Sequence, residues 1–282
     1  MRKIIDVYSE ALNKGKDSGV LSQDLRLLIA ADMGFAEPID TLFHKDDPFP
    51  KESLFWEQFA RLLKQEPVEY ILHECKFLDY KLYVDSRVLI PRMETQELIA
   101  NITERIDDYY DPRNYLVAVD IGTGSGCIAI ALKNLFKNWL VSASDISEDA
   151  LAVAKKNVDA FAPSIHLYQG NSLEPYIKEN MAIDILVSNP PYIRNREDVQ
   201  QSVRDYEPAS ALYLDDDDGS VYESIFRDYK KVKKGSMLMC FEIGYDLKDY
   251  LTALMERYLE DYEYEFLEDL NGLTRFLFVF CK

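Results

Sequence analysis

At 282 residues the chain is long enough for two domains or one large one, and a hydrophobic content of 48% allows a sizeable core. Fifty acidic against 32 basic residues give a net charge of −18, which argues against the basic face of a generic nucleic-acid binder. No run approaches the roughly 18 apolar residues of a membrane span, and the opening MRKIIDVYSEALNKGK reads as an amphipathic helix rather than a leader, so a cytoplasmic protein without membrane contact is expected.

Ile4, Ile5, Tyr8, Ala11 and Leu12 recur at helical spacing. A second helix is expected after Ser22, which can cap it, with Leu25, Leu28 and Ile29 on one face. A third runs through Leu54, Phe55, Gln58, Phe59, Leu62 and Leu63. Nothing here carries chemistry, so the region reads as a small helical domain for partner recognition. From Pro67 the period turns strand-like, and Leu78-Asp79-Tyr80 suits the turn of a hairpin within the aromatic stretch Phe77 to Val84. The apolar run Val88-Leu89-Ile90-Pro91 then steps through Arg92, Met93 and Glu94 into a helix that Thr95 can cap. Arg92 and Glu94 suit a salt-bridged helix entry.

Alternating strands and helices begin at Leu116. The buried strand Leu116 to Ile121 runs into Gly122-Thr123-Gly124-Ser125-Gly126 and then the apolar helix from Cys127. Such a turn lets a ligand lie against the backbone near the positive end of the helix. The next strand, Leu140 to Ser144, ends in Asp145, placed to take the two hydroxyls of a ribose. The pyrophosphate signature G-x-G-x-x-G is absent, which suits a nucleoside without phosphates. A third strand (165–169) precedes Gly170-Asn171-Ser172. The fourth, Ile183 to Ser188, runs into Asn189-Pro190-Pro191-Tyr192. The prolines make a stiff, non-helical exit. The Asn189 side-chain oxygen and the Pro190 carbonyl are then two fixed acceptors for a planar –NH2 group, with Tyr192 as a flat face. Taken alone, the stretch reads equally well as a proline-rich turn. The run Asp215-Asp216-Asp217-Asp218-Gly219 suits a solvated loop. Helices near 221–231 and 247–259 and strands near 237–242, 263–267 and 275–280 complete a doubly wound, mostly parallel α/β sheet. Gly244 marks another tight strand exit. The four cysteines and three histidines match no metal spacing, so buried reduced thiols and no metal are expected.

The glycine turn, the acid one strand later and Asn-Pro-Pro-Tyr at the fourth strand together describe an S-adenosyl-L-methionine-dependent amino-methyltransferase. With QEPVEYIL (65–72), VLIPRMET (88–95), DIGTGSGCIAIAL (120–132), SDIS (144–147), FEIG (241–244) and DLNGLTR (269–275), the chain resembles the protein-(glutamine-N5) methyltransferases of peptide chain release factors. His73 stands where that family usually has glycine, and Asn171-Ser172 where many relatives have an acidic residue. The resemblance implies a helical substrate-recognition domain over 1–72, a β-hairpin linker over 73–86 and a Rossmann-like class I methyltransferase domain with a seven-stranded sheet over 87–282. It also implies a donor site at Gly122, Thr123, Gly124, Ser125, Gly126, Asp145, Ile146, Asn171, Ser172 and Asn189, the product being S-adenosyl-L-homocysteine. The substrate side is Asn189, Pro190, Pro191 and Tyr192, with Arg92 counted among the binding residues; Asn189, Pro190 and Tyr192 carry catalysis. The implied substrate is the glutamine of the Gly-Gly-Gln motif in class 1 release factors, handled by a monomer without direct nucleic-acid contact. A nucleic-acid methyltransferase acting on the exocyclic amine of adenine or guanine suits the same motif, but the acidic balance opposes it. A catalytically idle binding protein would have no need of the complete donor loop.

Overall fold

The computed structural model describes residues 1–111, 113–214 and 220–282. The acidic run at Asp215 to Gly219 lies outside them. In chain order the elements begin with five helices: α1 (Ile4–Gly15), α2 (Ser22–Met33), α3 (Asp40–Phe43), α4 (Glu52–Leu62) and α5 (Val68–Leu72). They continue with β1 (Cys75–Phe77), β2 (Tyr80–Leu82), α6 (Met93–Tyr109), β3 (Val117–Ile121), α7 (Cys127–Leu135), β4 (Leu140–Asp145) and α8 (Glu148–Phe161). Then come β5 (His166–Gln169), α9 (Glu174–Lys178), β6 (Ile185–Ser188), α10 (Gln201–Tyr206) and α11 (Val221–Asp228). The last are β7 (Met237–Glu242), α12 (Lys248–Tyr258), β8 (Tyr262–Glu268) and β9 (Thr274–Cys281).

The chain forms two compact units. One is Met1–Glu74 together with Val199–Tyr206, the other Cys75–Asp198 with Glu207–Lys282. In the first, Ile4, Val7, Leu25, Leu28, Phe55 and Phe59 from α1, α2 and α4 close a core of their own. The Tyr206 hydroxyl of α10 donates to the Lys64 carbonyl at 2.9 Å, so a segment distant in sequence completes this unit. Two local expectations are corrected here. Ser22 does not cap α2, whose N-cap is Leu21; its hydroxyl bonds the Tyr8 hydroxyl at 3.0 Å. The strand-like stretch after Pro67 is helix α5. Five residues are too few to show a helical period, and their β-branched and aromatic content mimics a strand. Helix α5 ends at His73, which takes the left-handed conformation (φ 54°) that glycine takes more readily.

In the second unit β1 and β2 form an antiparallel hairpin in which Phe77 pairs with Tyr80. Asn157 of α8 anchors the chain just beyond it: its oxygen accepts from the Tyr83 N–H at 2.7 Å and its amide donates to the Tyr83 carbonyl at 2.9 Å. The large sheet has the order β5-β4-β3-β6-β7-β9-β8. Its first five strands are parallel, while β9 is antiparallel to both β7 and β8. Period-two alternation divides the core. Ile185, Val187, Leu238 and Cys240 face the layer that contains Leu98, Ile102 and Ile130, whereas Leu186, Met239 and Phe241 face Tyr222, Phe226 and Leu251.

The register sets up the site. Ile121 lies opposite both Ser144 and Ser188, so Gly122, Asp145 and Asn189 leave adjacent strands at one edge. Ser188 pairs with Phe241, which brings Glu242 beside Asn189. The chain runs from β3 to β4 and β5 on one side and returns to β6 on the other, making a topological switch point at which open α/β sheets bind ligands.

Candidate active site

The cradle begins with the turn after β3. The Gly122 and Thr123 N–H groups both donate to the Ser144 carbonyl at 2.9 Å, which folds the loop over the β4 tip. Gly122 (φ +71°) and Gly124 (φ +54°) are left-handed, and a Cβ added at either would meet no atom within 4 Å. Their bare backbone therefore borders open cavity. Buried Asp120 anchors the loop from below, accepting from the Thr123 hydroxyl at 2.6 Å and the Ala129 N–H at 3.2 Å. Asp145 Oδ2 accepts from the Gly124 N–H and Oδ1 from the Ser147 N–H, both at 2.9 Å. Each carboxylate oxygen has a further acceptor direction, and burial raises the pKa of the group. Ser172 Oγ is buried without a hydrogen-bond partner among the described residues. Open glycine backbone, an acceptor for a diol and an orphaned hydroxyl fit a nucleoside donor such as S-adenosyl-L-methionine.

On this basis Asp145→Ala is expected to weaken donor binding by roughly 1.5–3 kcal/mol, about 10- to 100-fold, with the protein still folded. Titration calorimetry checks it; unchanged affinity would remove Asp145 from the donor site.

The other wall of the cavity is the β6 exit, Asn189, Pro190 and Pro191, together with Thr95. Asn189 Nδ2 donates to Thr95 Oγ1 at 3.1 Å, and the Thr95 hydroxyl donates to Glu242 Oε2 at 2.7 Å. The Tyr192 hydroxyl donates to Glu242 Oε1 at 3.2 Å. Glu242 is wholly buried, and desolvation pushes its pKa up to about 7 against the hydrogen bonds that favour its charged form. A carboxyl whose folded pKa lies above its unfolded one stabilises the fold at low pH. That stability is present below the unfolded value and lost as pH rises through the folded one. Glu242 should therefore cost the protein roughly 2–3 kcal/mol between about pH 4.5 and pH 8. Melting temperatures across that range should fall less steeply for Glu242→Gln than for the wild type; parallel curves would refute the assignment.

Similarity to known proteins agrees with this geometry. Residues 95–220 match the methyltransferase small domain family. The release factor glutamine methyltransferase of Bacillus subtilis is 33% identical over 98% of this chain and 96% of its own length. Those of Enterococcus faecalis and Streptococcus pneumoniae are 35% and 32% identical, over 83% and 96% of this chain and 83% and 94% of theirs. This chain belongs to the release factor glutamine methyltransferase family. Among solved structures, the N-terminal domain of human METTL16 in complex with SAH matches with a TM-score of 0.51 at 16% identity. It covers 95% of this chain and 96% of that one, a likeness of fold.

Most of the residues that the family resemblance singles out meet at this cavity. Gly122, Thr123, Gly124, Ser125, Asp145, Ile146, Asn171, Ser172, Asn189, Pro190 and Pro191 all line it. Gly126 is not among the lining residues; a Cβ there would make only ordinary contact with Ala154 at 3.6 Å, and it is the left-handed backbone (φ +85°) that calls for glycine. Tyr192 packs against the core beneath Arg275, whose guanidinium is 5.9 Å from its ring, rather than lining the cavity. Arg92 is ion-paired with buried Glu207, which also accepts from the Ile90 N–H at 3.1 Å. Thr95 is not the cap of α6: the N-cap is Arg92, and the Thr95 side chain turns inward to Glu242. Glu242 itself was legible only as the end of a strand. A buried acid closing a fully apolar strand was the signal that could have found it. Gly244 keeps the neighbouring exit tight, since a Cβ there would stand 3.3 Å from the Tyr192 carbonyl oxygen.

Proposed function

We propose that this protein transfers a methyl group from S-adenosyl-L-methionine to the side-chain amide nitrogen of a glutamine, that of the Gly-Gly-Gln motif in class 1 peptide chain release factors. The observation that carries the reading is Asn189 at the cavity wall, beside the glycine cradle, with its amide nitrogen already engaged by Thr95. Its oxygen and the Pro190 carbonyl are the acceptors for the two hydrogens of a substrate amide. As that nitrogen attacks, it becomes positive and its hydrogens become stronger donors, so both contacts tighten in the transition state. Bound S-adenosyl-L-methionine supplies the activated methyl, and the chain's task is alignment. The remaining proton can leave to water, so no base is required of the chain.

The helical unit takes the part of recognising the protein substrate, and the enzyme acts as a cytoplasmic monomer without direct contact to nucleic acid. The charge of −18 supports that reading against the nucleic-acid alternative. None of the described helices is long and apolar enough to cross a membrane. The deciding experiment incubates the protein with methyl-labelled donor and a purified class 1 release factor, beside the same factor with its glutamine replaced. Label in the first alone is expected; equal label in both, or label only in added RNA, would defeat the reading.

A further inference from the structure

We propose that Thr95 and Glu242 are positioning residues that lock the Asn189 amide with its oxygen toward the cavity, and so make the site select an –NH2 group over an isosteric acceptor. The inference rests on the role given to Asn189 above.

The argument is a count of protons. Glu242, 0% exposed, lies 2.7 Å from the Thr95 hydroxyl and 3.2 Å from that of Tyr192. Above about pH 7, where Glu242 is ionised, its carboxylate has no proton to offer, so both hydroxyls must donate to it. Thr95, itself only 2% exposed, has a single proton, and that proton points at Glu242. Its oxygen then presents only lone pairs to the Asn189 amide, 3.1 Å away. Lone pairs attract an –NH2 and repel a carbonyl oxygen, so the nitrogen of Asn189 is turned inward and its oxygen is left for the cavity.

The two orientations of an asparagine amide are nearly isosteric, and packing alone distinguishes them poorly. A reversed amide would aim N–H groups at the N–H groups of a substrate amide, while accommodating a glutamate carboxylate. The polarity of this buried relay therefore decides which acceptor chemistry the site takes. The three groups come from separate places in the sequence: the first turn of α6, the end of β7 and the exit of β6. None of the three belongs to the glycine turn of residues 122–126, so a variant can separate orientation from donor binding.

The test, run at pH 8, compares wild type, Thr95→Val and Thr95→Ser on a purified class 1 release factor, with Asn189→Ala as reference. The release factor carrying glutamate for the motif glutamine serves as a competitive inhibitor. Valine keeps the volume and removes the acceptor. Thr95→Val is expected to bind the donor within about twofold of wild type yet lose about 30-fold or more in kcat, and Thr95→Ser to recover most of that loss. The glutamate form should inhibit Thr95→Val at least about fivefold better, relative to wild type, because a freed amide can turn its N–H groups outward. If Thr95→Val fails to fold, Thr95→Ala removes the same hydroxyl without adding a methyl and carries the same expectations. Wild-type turnover by a hydroxyl-free variant, or a loss of donor binding equal to the loss of kcat, would overturn the proposal while leaving glutamine methylation in place. Normal turnover by Asn189→Ala would overturn both.

Discussion

Asn189→Ala is expected to bind S-adenosyl-L-methionine almost as well as the wild type and to turn over at least roughly 10- to 100-fold more slowly. About 1.5–3 kcal/mol is at stake in a hydrogen bond to a nitrogen that becomes charged, and each 1.36 kcal/mol is a decade in rate. The competing account, in which Asn189 merely shapes a proline-rich turn, predicts a small loss of stability with activity in proportion to folded protein. Asn189→Asp sharpens the comparison. It keeps an acceptor but loses the –NH2 that Thr95 now accepts at 3.1 Å, and it adds the cost of a charge in a closed pocket. It should retain more activity than the alanine variant and gain none toward DNA or RNA. Single-turnover rates at saturating donor separate the accounts, and a folded alanine variant with normal turnover on release factor would falsify the assignment.

Gly124→Val is expected to lower donor affinity by at least about 100-fold, more than any single polar substitution in the cradle. Two effects act together. At φ +54° a β-branched residue is strained by about 1–2 kcal/mol, and its side chain enters the open space that borders the cavity. Gly34→Val separates them: Gly34 is also left-handed (φ +73°) with open space around it, but it ends α2 instead of lining the cavity. Both variants should melt lower by a similar amount, while only Gly124→Val loses donor binding by calorimetry. Equal donor affinity in the two would mean that Gly124 serves the turn alone.

The sequence by itself determined much of this protein. Apolar strands of five or six residues, each followed by a glycine turn, an acid or the Asn-Pro-Pro exit, dictate a parallel sheet with functional groups at the strand ends. The expected strand at 237–242 is β7 residue for residue, because a strand buried on both faces is a continuous apolar run with abrupt ends. Gly122, Gly124, Asp145 and Asn189 were legible for the same reason: each is a type of residue that the end of such a strand does not otherwise need. Short and local features were less legible. Helix α5 has too few residues to show its period, and Ser22 and Thr95 look like caps because a helix start and a tertiary hydrogen bond call for the same hydroxyl side chain.

Tertiary structure alone decided the rest. That Gln201–Tyr206 packs with the helical unit depends on contacts across more than a hundred residues, such as the Tyr206 bond to Lys64. That Thr95, Glu242 and Asn189 form one relay depends on the register that places Ser188 opposite Phe241. Hydrophobic periodicity fixes which face of each strand is buried, but it carries no information about which residues of distant elements share a proton. That is set by the order of strands in the sheet and by the burial that makes each polar group find a partner.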